Sequence, residues 1–421
     1  MSMNIAEVIS IGDELTIGKI LDTNSQWLSQ RLTELGIRVM YHTTVGDDIA
    51  AMLDVLHKAA SRANLVIMTG GLGPTADDLT RLVLAKMLDV PLIQDNALLQ
   101  TIRKRFESRG LVMPPANAGQ AAMPEGSVAI PNPNGTAPGI DATYHVQQRE
   151  VRLYALPGVP AEMREMWNGT LAERIAQLYA KGQVIKSRSI LTFGAGESQV
   201  EQMLPNLIDR NHNPRVGITA DGAVITLTIV AEQESEAACD AVMEPDAALI
   251  YERLGNLIFG EGTDTLPGVV LAELRRRKET LATIEFGTGG LLSHDLAHES
   301  ALFPDAPVCY RGGLANLPDN DLRNVFFGRT HPGMPLGSDE KQRISNIARA
   351  GWQFFGTDHL LLVGHYPMPT VDAEPFVHIA HAHAKGVDTQ SFQYAGHPAL
   401  IDQIFVKRAV NMLRHALIQT Q

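Results

Sequence analysis

The chain has 421 residues, which exceeds one ordinary hydrophobic core and predicts two to three domains. Hydrophobic residues make up 45% and charged residues 19%, a balance that excludes extensive disorder. The formal net charge of −12 argues against nucleic acid as a partner. A small nucleotide remains compatible with this charge, because backbone N–H groups and a cation can surround its phosphates.

The cysteines and the apolar runs indicate the compartment. Cys239 and Cys309 form no C-x-x-C spacing, so we expect neither a disulfide framework nor a structural zinc site. The N-terminal stretch lacks the charged leader and apolar core of a signal peptide, and no window reaches about 18 uninterrupted apolar residues. We therefore expect a cytoplasmic protein with no membrane partner.

Predicted strands and helices alternate along the first 90 residues. The predicted strands are 5–11, 37–44 and 64–69; the predicted helices are 26–35, 47–62 and 77–88, with Ser25 as the N-cap of the first. This alternation predicts an α/β fold with a doubly wound, mostly parallel sheet. Ligands of such sheets bind beyond the carboxyl ends of the strands.

The remainder of the chain predicts further elements. The Pro-, Gly- and Asn-rich stretch 114–139 is either a linker or an ordered loop over a site, and a helix is predicted over 162–167. Strands over 186–192 and 223–231 with helices over 198–211 and 235–254 predict a small α+β module. Helices over 267–278, 291–298 and 399–421 with strands over 280–284, 360–363 and 376–380 predict a C-terminal α/β domain. The predicted domains are 1–175, 182–262 and 264–421.

The strongest functional signal is the segment TGGLGPTADD, which runs from Thr69 to Asp78. Three glycines at a strand end let the backbone approach an anion, and the next helix N-terminus adds partial positive charge. Two carboxylates beside a phosphate loop fit if a divalent cation lies between them. The alternative is that Asp77 or Asp78 caps the next helix. Further carboxylates in Gly12-Asp13-Glu14 and Asp47-Asp48 favour a hard-metal site.

Motifs in a fixed order carry a family resemblance. The first 170 residues contain, in this order, the motifs GDEL, DTNS, VGDD, TGGLGPTADDLT, NGTAPG and LPGVPAEM. With these motifs they resemble the competence/damage-inducible CinA family. The middle module resembles the KH-like domain of that family, and the third domain stands where the family carries a nicotinamide-nucleotide amidohydrolase. The resemblance implies a molybdopterin-binding-like first domain that hydrolyses ADP-ribose to AMP and ribose 5-phosphate. It also implies a homodimer and a divalent metal, Co²⁺, Mn²⁺ or Mg²⁺, with K⁺ as a further candidate.

The resemblance also implies roles for individual residues. Asp47 and Asp78 would bind the metal and serve catalysis, and Gly70, Gly71 and Gly73 would hold the phosphate. The residues implied to line the nucleotide site are Asn24, Asn117, Gln120, Gly135 and Thr136, with Gly158 near the base. The metal would polarise the diphosphate and activate a water molecule for attack at phosphorus.

The third domain departs from the family at its nucleophile. The family motif Glu-Ser-Cys-Thr-Gly-Gly is here Glu285-Phe286-Gly287-Thr288-Gly289-Gly290, so Phe286 replaces the nucleophilic serine and Gly287 the cysteine. Leu317 and Leu322 stand at the positions of the assisting tyrosine and lysine. Amide hydrolysis needs an activated nucleophile, and we therefore predict that this domain has no deamidase activity.

The sequence alone leaves three interpretations of the function open, and it leaves open whether two histidines bind a metal. The favoured function is a metal-dependent nucleotide pyrophosphatase with a degenerate C-terminal domain. The alternatives are nicotinamide mononucleotide deamidation by the third domain and a non-catalytic sensor of a nucleotide or pterin. His381 and His383, two apart on a predicted strand, face one side and are either a metal pair or hydrogen-bonded polar residues.

Overall fold

The computed structural model describes residues 5–179, 184–209, 212–318, 321–322, 325–326, 339–367, 375–394 and 397–419. The chain divides into two units, which comprise residues 1–186 with 231–242 and residues 187–230 with 243–421. The three predicted domain boundaries stay predictions. Among the described residues, no helix is long and apolar enough to cross a membrane.

The first unit is built on a six-stranded sheet in the order β2-β1-β3-β8-β7-β6. Its strands are β1 (Ile5–Ile11), β2 (Arg38–Val45), β3 (Leu65–Thr69), β6 (Val128–Ile130), β7 (Gly139–Val146) and β8 (Arg149–Leu156). The first four strands in this order run parallel to one another. Strand β7 runs antiparallel to both of its neighbours, β8 and β6. The chain runs from β1 to one neighbour and later to the other, so the strand order switches at β1 and β3.

Helices cover both faces of this sheet and confirm the doubly wound prediction. They are α1 (Asp13–Thr16), α2 (Thr23–Glu34), α3 (Ile49–Arg62), α4 (Thr80–Leu88), α5 (Asn96–Ser108), α6 (Pro160–Met166) and α7 (Ala172–Tyr179), with a π-helical turn at Trp167–Leu171 before α7. Met52, Leu56, Ala59 and Ala60 form the buried stripe of α3, as a helical period requires. All five residues of β3 are buried because apolar layers pack on both of its faces.

Three predicted helix starts were wrong. Helix α2 begins at Thr23 and is capped by Asp22, whose carboxylate accepts the Ser25 N–H at 3.0 Å; the Ser25 hydroxyl instead bonds to Ser10 at 2.8 Å. Helix α3 begins after Asp48, which accepts the Ala51 N–H at 2.8 Å. Helix α4 begins only at Thr80, and no side chain caps it. Asp77 and Asp78 are therefore not its N-cap.

The stretch 114–139 is ordered, so the linker interpretation is wrong. It contains the 3₁₀ helix Pro115–Ala121 and two short strands, β5 (Ala122–Pro124) and β6. Strand β5 pairs with β4 (Leu92–Gln94) in a small antiparallel ribbon.

Two further sheets lie mostly in the second unit. The first has the order β10-β11-β9-β12 and is formed by β9 (Val184–Phe193), β10 (Arg215–Asp221), β11 (Val224–Gln233) and β12 (Ile258–Glu261). The second has the order β14-β13-β15-β16-β17 and is formed by β13 (Leu281–Glu285), β14 (Tyr310–Ala315), β15 (His359–Val363), β16 (Phe376–His383) and β17 (Gly386–Gln393). Strands β13, β14 and β15 are parallel, and β16 and β17 are antiparallel additions.

The helices associated with these sheets are α8 (Glu197–Met203), α9 (Glu236–Leu254), the 3₁₀ turn Gly255–Leu257, α10 (Leu266–Arg277), α11 (Leu291–Ala301), α12 (Glu340–Phe355) and α13 (Ile401–Gln419). Leu271, Leu361 and Phe405 belong to an apolar cluster on one face of the second sheet. Ile284, Ile347 and Leu360 belong to the cluster on its other face.

Candidate functional site

A cavity of about 630 Å³ lies at the carboxyl ends of β1, β3 and β8 in the first unit. Its volume falls within the range of about 300–1,000 Å³ that small-molecule sites occupy. It includes nine of the residues that the sequence predicts for the site, namely Asn24, Asp47, Gly70, Gly71, Gly73, Asp78, Gln120, Thr136 and Gly158. The position agrees with the rule that ligands of doubly wound sheets bind near the switch in strand order.

The loop after β3 requires glycine for its conformation. Gly70 has φ +112° and Gly71 has φ +64°, both in the left-handed region that side chains rarely adopt. A Cβ atom on Gly70 would collide with the Ile11 carbonyl oxygen, and one on Gly71 would collide with the Thr80 hydroxyl. The first turn of the loop therefore packs directly against the end of β1.

The carbonyl groups of this loop are bound from the side of helix α4. The Thr80 hydroxyl donates to the Gly70 carbonyl at 2.8 Å. The buried Arg81 donates from Nη1 to the Leu72 carbonyl at 2.7 Å and from Nη2 to the Gly73 carbonyl at 2.5 Å. These contacts immobilise the loop before any ligand binds.

Asp78 is part of the same loop scaffold. Its Oδ1 accepts the Gly73 N–H at 2.6 Å, and its Oδ2 accepts the Thr75 N–H at 2.8 Å together with the Thr75 hydroxyl. Burial lowers the pKa of Arg81, and the charge of Asp78 opposes this lowering in part. Both carboxylate oxygens of Asp78 thus close the loop on itself.

Four carboxylates beside the loop form what we call the acidic cluster: Asp13, Glu14, Asp47 and Asp77. Asp47 Oδ2 accepts the Asp13 N–H at 3.0 Å, and Asp13 Oδ1 accepts the Asp47 N–H at 3.1 Å. Burial raises the pKa of Asp47, and the charges of Asp13, Glu14 and Asp77 raise it further, against the lowering effect of the Asp13 N–H. The neighbouring charges thus oppose the ionisation of Asp47, whereas a hydrogen bond with Thr75 lowers the pKa of Asp77.

The roles implied by the family resemblance did not include Glu14 and Asp77, although the sequence placed both among the carboxylates that favour a metal site. Both line the cavity with Asp47. Glu14 directly follows Asp13, which does not line the cavity, and Asp77 directly precedes Asp78, which also lines it. Their positions in the sequence could have indicated this, because Glu14 follows the end of β1 and Asp77 follows the glycine loop after β3.

Asn24 connects three segments at the edge of the cavity. Its Nδ2 donates to the Thr69 hydroxyl at 3.0 Å and to the Gly158 carbonyl at 2.8 Å, while Thr69 donates to the Pro157 carbonyl at 3.0 Å. Its Oδ1 is buried and has no partner within the described part of the chain. Asn24 therefore keeps one acceptor for a donor group of a ligand.

Asn117 and Gly135 are not among the cavity-lining residues. Asn117 is buried and donates to Gln120 Oε1 at 2.9 Å, and Gln120 Nε2 lies 3.4 Å from the Leu72 carbonyl oxygen. Gly135 lies with Thr136 in a neighbouring cavity, and its N–H donates to Asn132 Oδ1 at 2.7 Å. Their predicted contact with a nucleotide stays a prediction.

Residues 7–177 match the family profile described as "Probable molybdopterin binding domain", and residues 187–260 match "Damage-inducible protein CinA KH domain". A competence-damage inducible protein of Caldicellulosiruptor bescii is 32% identical over 430 residues, which cover 98% of this chain and 99% of that protein. This chain belongs to the CinA family. A CinA-like protein of Nostoc punctiforme is 38% identical over 323 residues, covering 77% of this chain and 76% of that protein.

The crystal structure of a CinA protein from Thermoplasma acidophilum, titled as having unknown function, is similar to part of the chain. It is 31% identical, with a TM-score of 0.37, and covers 41% of this chain and 98% of that one.

In this CinA-family chain, the residues that the sequence predicts to replace the deamidase motif have mostly apolar surroundings. Phe286 and Leu322 are buried in one apolar cluster, and Leu317 is half-buried against it. The Phe286 ring stacks on His365 with 4.2 Å between ring centroids. A Cβ atom on Gly287 would collide with the Tyr366 ring. These positions therefore carry no nucleophile and form apolar packing.

The sequence-predicted histidines belong to a second group of polar side chains, which we call the histidine cluster: His359, His381 and His383 with Glu279 and Asp388. His381 is buried, with 2% of its surface exposed. Burial, followed by the charges of His359 and His383, lowers the pKa of His381 to about 3. The His381 ring is therefore neutral at physiological pH.

Proposed function

We propose that the first unit hydrolyses the diphosphate of a nucleotide, with ADP-ribose as substrate and a divalent cation as cofactor. The observation that carries the proposal is that a pre-formed glycine loop and three carboxylates of the acidic cluster, those of Glu14, Asp47 and Asp77, line the same cavity. Either feature alone has an ordinary structural explanation. Their combination matches the two needs of diphosphate chemistry, which are anion binding and charge neutralisation.

The glycine loop supports binding of a phosphate. Because Thr80 and Arg81 bind the carbonyl groups of Gly70, Leu72 and Gly73, we assign the amide groups of Gly71 and Leu72 to the anion. The Gly73 N–H is excluded from this role, since it donates to Asp78.

We propose the acidic cluster as the site of a hard divalent cation because of the chemistry of its donors. Its donors are carboxylate oxygens, which Mg²⁺ and Mn²⁺ prefer, and like charges that raise the Asp47 pKa are relieved when a cation binds among them. We propose Asp47 and Asp77 as ligands, with Glu14 and Asp13 beside them. Asp78, the ligand implied by family resemblance, is proposed mainly to hold the loop. A bound cation would supply charge neutralisation for the diphosphate and an activated water molecule.

The unpartnered Asn24 Oδ1 supports recognition of the nucleoside part. A buried acceptor without a donor costs about 1–3 kcal/mol, and a ribose hydroxyl or an adenine amino group would remove that cost. Asn24 would then orient the ligand between the ends of β3 and β8.

The full-length protein incubated with ADP-ribose and Mg²⁺, Mn²⁺ or Co²⁺ should release AMP and ribose 5-phosphate. Chelation of the metal should abolish product formation, and chromatography of the nucleotides measures both results. The metal with ADP-ribose but no protein is the control. If ADP-ribose binds in a calorimeter but no product forms over hours, a sensor function replaces this proposal. If no dinucleotide in a panel binds or reacts, the proposal is wrong.

We also propose that the second unit does not deamidate nicotinamide mononucleotide. The protein should release no ammonia from that substrate, and Phe286→Ser should not restore activity because Leu317 and Leu322 provide no assisting groups. A coupled ammonia assay with a CinA protein that carries the complete motif is the positive control. Ammonia release by the wild type at a rate similar to that of the control would contradict this interpretation.

A further inference from the structure

We propose that His381, His383 and Asp388 form a binding site for a zinc-type transition-metal ion in the second unit, independent of the proposed cation site in the first. The three residues offer one donor atom each, and these atoms all lie within 4.8 Å of one another. His383 Nε2 lies 3.1 Å from Asp388 Oδ2, and the rings of His381 and His383 lie 4.8 Å apart between centroids.

The pairing of strands explains why these side chains meet. Strands β16 and β17 form a hairpin in which His381 pairs with Asp388 and His383 pairs with Gly386. His381 and His383 are two apart, so they project from the same face, and Asp388 shares that face because it is directly opposite His381. Strand β15 adds His359 on the same face, since it pairs with His383.

A chain of hydrogen bonds determines which nitrogen of His381 is available. His359 Nε2 lies 3.0 Å from the Glu279 carboxylate, so this nitrogen carries a proton and donates it. With His359 as a neutral imidazole, its Nδ1 accepts a hydrogen bond from the N–H of His381 Nε2, 3.0 Å away. His381 Nδ1 therefore carries no proton, and its lone pair is available to a ligand.

That lone pair is buried and has no hydrogen-bond partner among the described residues. Buried polar atoms in proteins are almost always paired, so a histidine that served only as a polar core residue would have a donor here. A carboxylate that holds the far nitrogen of a histidine through a hydrogen bond is also the arrangement that orients metal-binding histidines. Glu279 and His359 are thus proposed as positioning residues.

His383 requires one rearrangement to bind. Its Nδ1 accepts the Lys385 N–H at 3.2 Å, so its proton is on Nε2 and faces Asp388. When Nε2 binds a cation, the proton moves to Nδ1, and the Lys385 N–H in the exposed turn bonds to water instead. Asp388 then contributes its carboxylate directly.

The donor set selects the class of metal. Two imidazoles and one carboxylate suit Zn²⁺, Co²⁺ or Ni²⁺, whereas Mg²⁺ and Ca²⁺ prefer oxygen donors throughout. Three protein ligands leave a fourth position of a tetrahedral Zn²⁺ site for water. This preference differs from that of the acidic cluster, which is oxygen-only.

Titration of the metal-free full-length protein with Zn²⁺ against a chromophoric chelator tests the proposal. The Asp47→Asn background removes a contribution from the acidic cluster. In that background we expect one Zn²⁺ site per chain, and Co²⁺ in its place should give the visible absorption of a tetrahedral complex. His383→Gln and Asp388→Asn should lose this absorption and weaken Zn²⁺ binding by at least a hundredfold.

His378→Gln is the matched control, because His378 is on the same strand but the opposite face and bonds to Ser391 at 2.9 Å. It should bind Zn²⁺ like its parent. Glu279→Gln should weaken binding by about tenfold to a hundredfold without removing the Co²⁺ absorption. Far-ultraviolet circular dichroism of each variant checks folding. Equal Zn²⁺ affinity of the His383→Gln variant and its parent would overturn the proposal, and so would Co²⁺ absorption that persists in that variant. Neither outcome bears on hydrolysis by the first unit.

Discussion

Asp47→Asn should lower the metal-dependent rate of ADP-ribose hydrolysis by about a hundredfold to a thousandfold, the usual effect of losing one electrostatic group at a reacting centre. Asparagine keeps the size of the side chain, and its Oδ1 can still accept the Asp13 N–H that now lies 3.0 Å away. What it loses is the charge that the cation needs. Initial rates of AMP release at saturating metal measure the effect.

Asp48→Asn is the matched control. Asp48 is the next residue, is exposed, and caps α3 through the Ala51 N–H. Asparagine caps helices about as well as aspartate, so this variant should keep the rate and the stability of the wild type. Equal rates for the two variants would mean that the acidic cluster has no part in the reaction.

The stability of the metal-free protein provides an independent check on Asp47→Asn. The pKa of Asp47 is raised in the folded state, so its ionisation above that pKa destabilises the fold. At neutral pH the metal-free variant should therefore melt no lower than the wild type. The difference should disappear as the pH falls below the ordinary pKa range of aspartate, where the carboxylate is protonated in both the folded and unfolded states. A variant that loses activity but not stability has lost a functional group and not its fold.

Local patterns predicted the framework of the first unit well. The apolar run of β3, the helical period of α3 and the glycines of the loop each have a cause within a few residues. Helix starts were less predictable, because several adjacent polar residues compete to cap a helix. Asp22 caps α2 where Ser25 was expected, and which residue caps depends on where the preceding turn directs its side chain.

Missed elements were mostly polar or lie at sheet edges. Strand β17 (GVDTQSFQ) is an edge strand, and β14 (YRGGLA) contains two glycines, so neither shows the apolar alternation that predicts a strand. The partners of a site are missed for a related reason. Glu279 and His359 are distant from His381 in the sequence, and only the pairing of β15 with β13 and with β16 brings them together. The relative roles of Asp77 and Asp78 likewise depend on the turn of the loop.

Arg81→Met should lower the free energy of unfolding of the first unit by about 2–6 kcal/mol, because two loop carbonyls each lose a hydrogen bond from a buried guanidinium group. Methionine fills the space of the aliphatic stem but donates no hydrogen bond. The Leu72 and Gly73 carbonyls would lose their Arg81 donors, and Asp78 would lose the positive charge next to it. Each carbonyl left without a donor accounts for about 1–3 kcal/mol of this cost.

Tryptophan fluorescence during urea unfolding can isolate this effect. Of the three tryptophans in the chain, Trp27 and Trp167 belong to the first unit and contact each other edge to face at 6.0 Å. Trp352 belongs to the second, so a Trp352→Phe background leaves the signal to the first unit. Arg103→Met on the exposed surface of α5 is the matched control and should unfold like its parent. If Arg81→Met unfolds at the same urea concentration as Arg103→Met, Arg81 does not stabilise the loop.

Activity and stability measured together distinguish residues that hold the loop from residues that take part in the reaction. Arg81 points its donors at the carbonyl side of the loop, so its loss should weaken ADP-ribose hydrolysis by displacing the amide groups of Gly71 and Leu72. Asp78→Asn should resemble Arg81→Met in losing stability, because asparagine cannot accept from both Gly73 and Thr75 with equal strength. Asp47→Asn should lose activity alone. If Asp78→Asn instead follows Asp47→Asn, with full stability and lost turnover, then Asp78 serves the reaction directly and the loop is held by Arg81 without it.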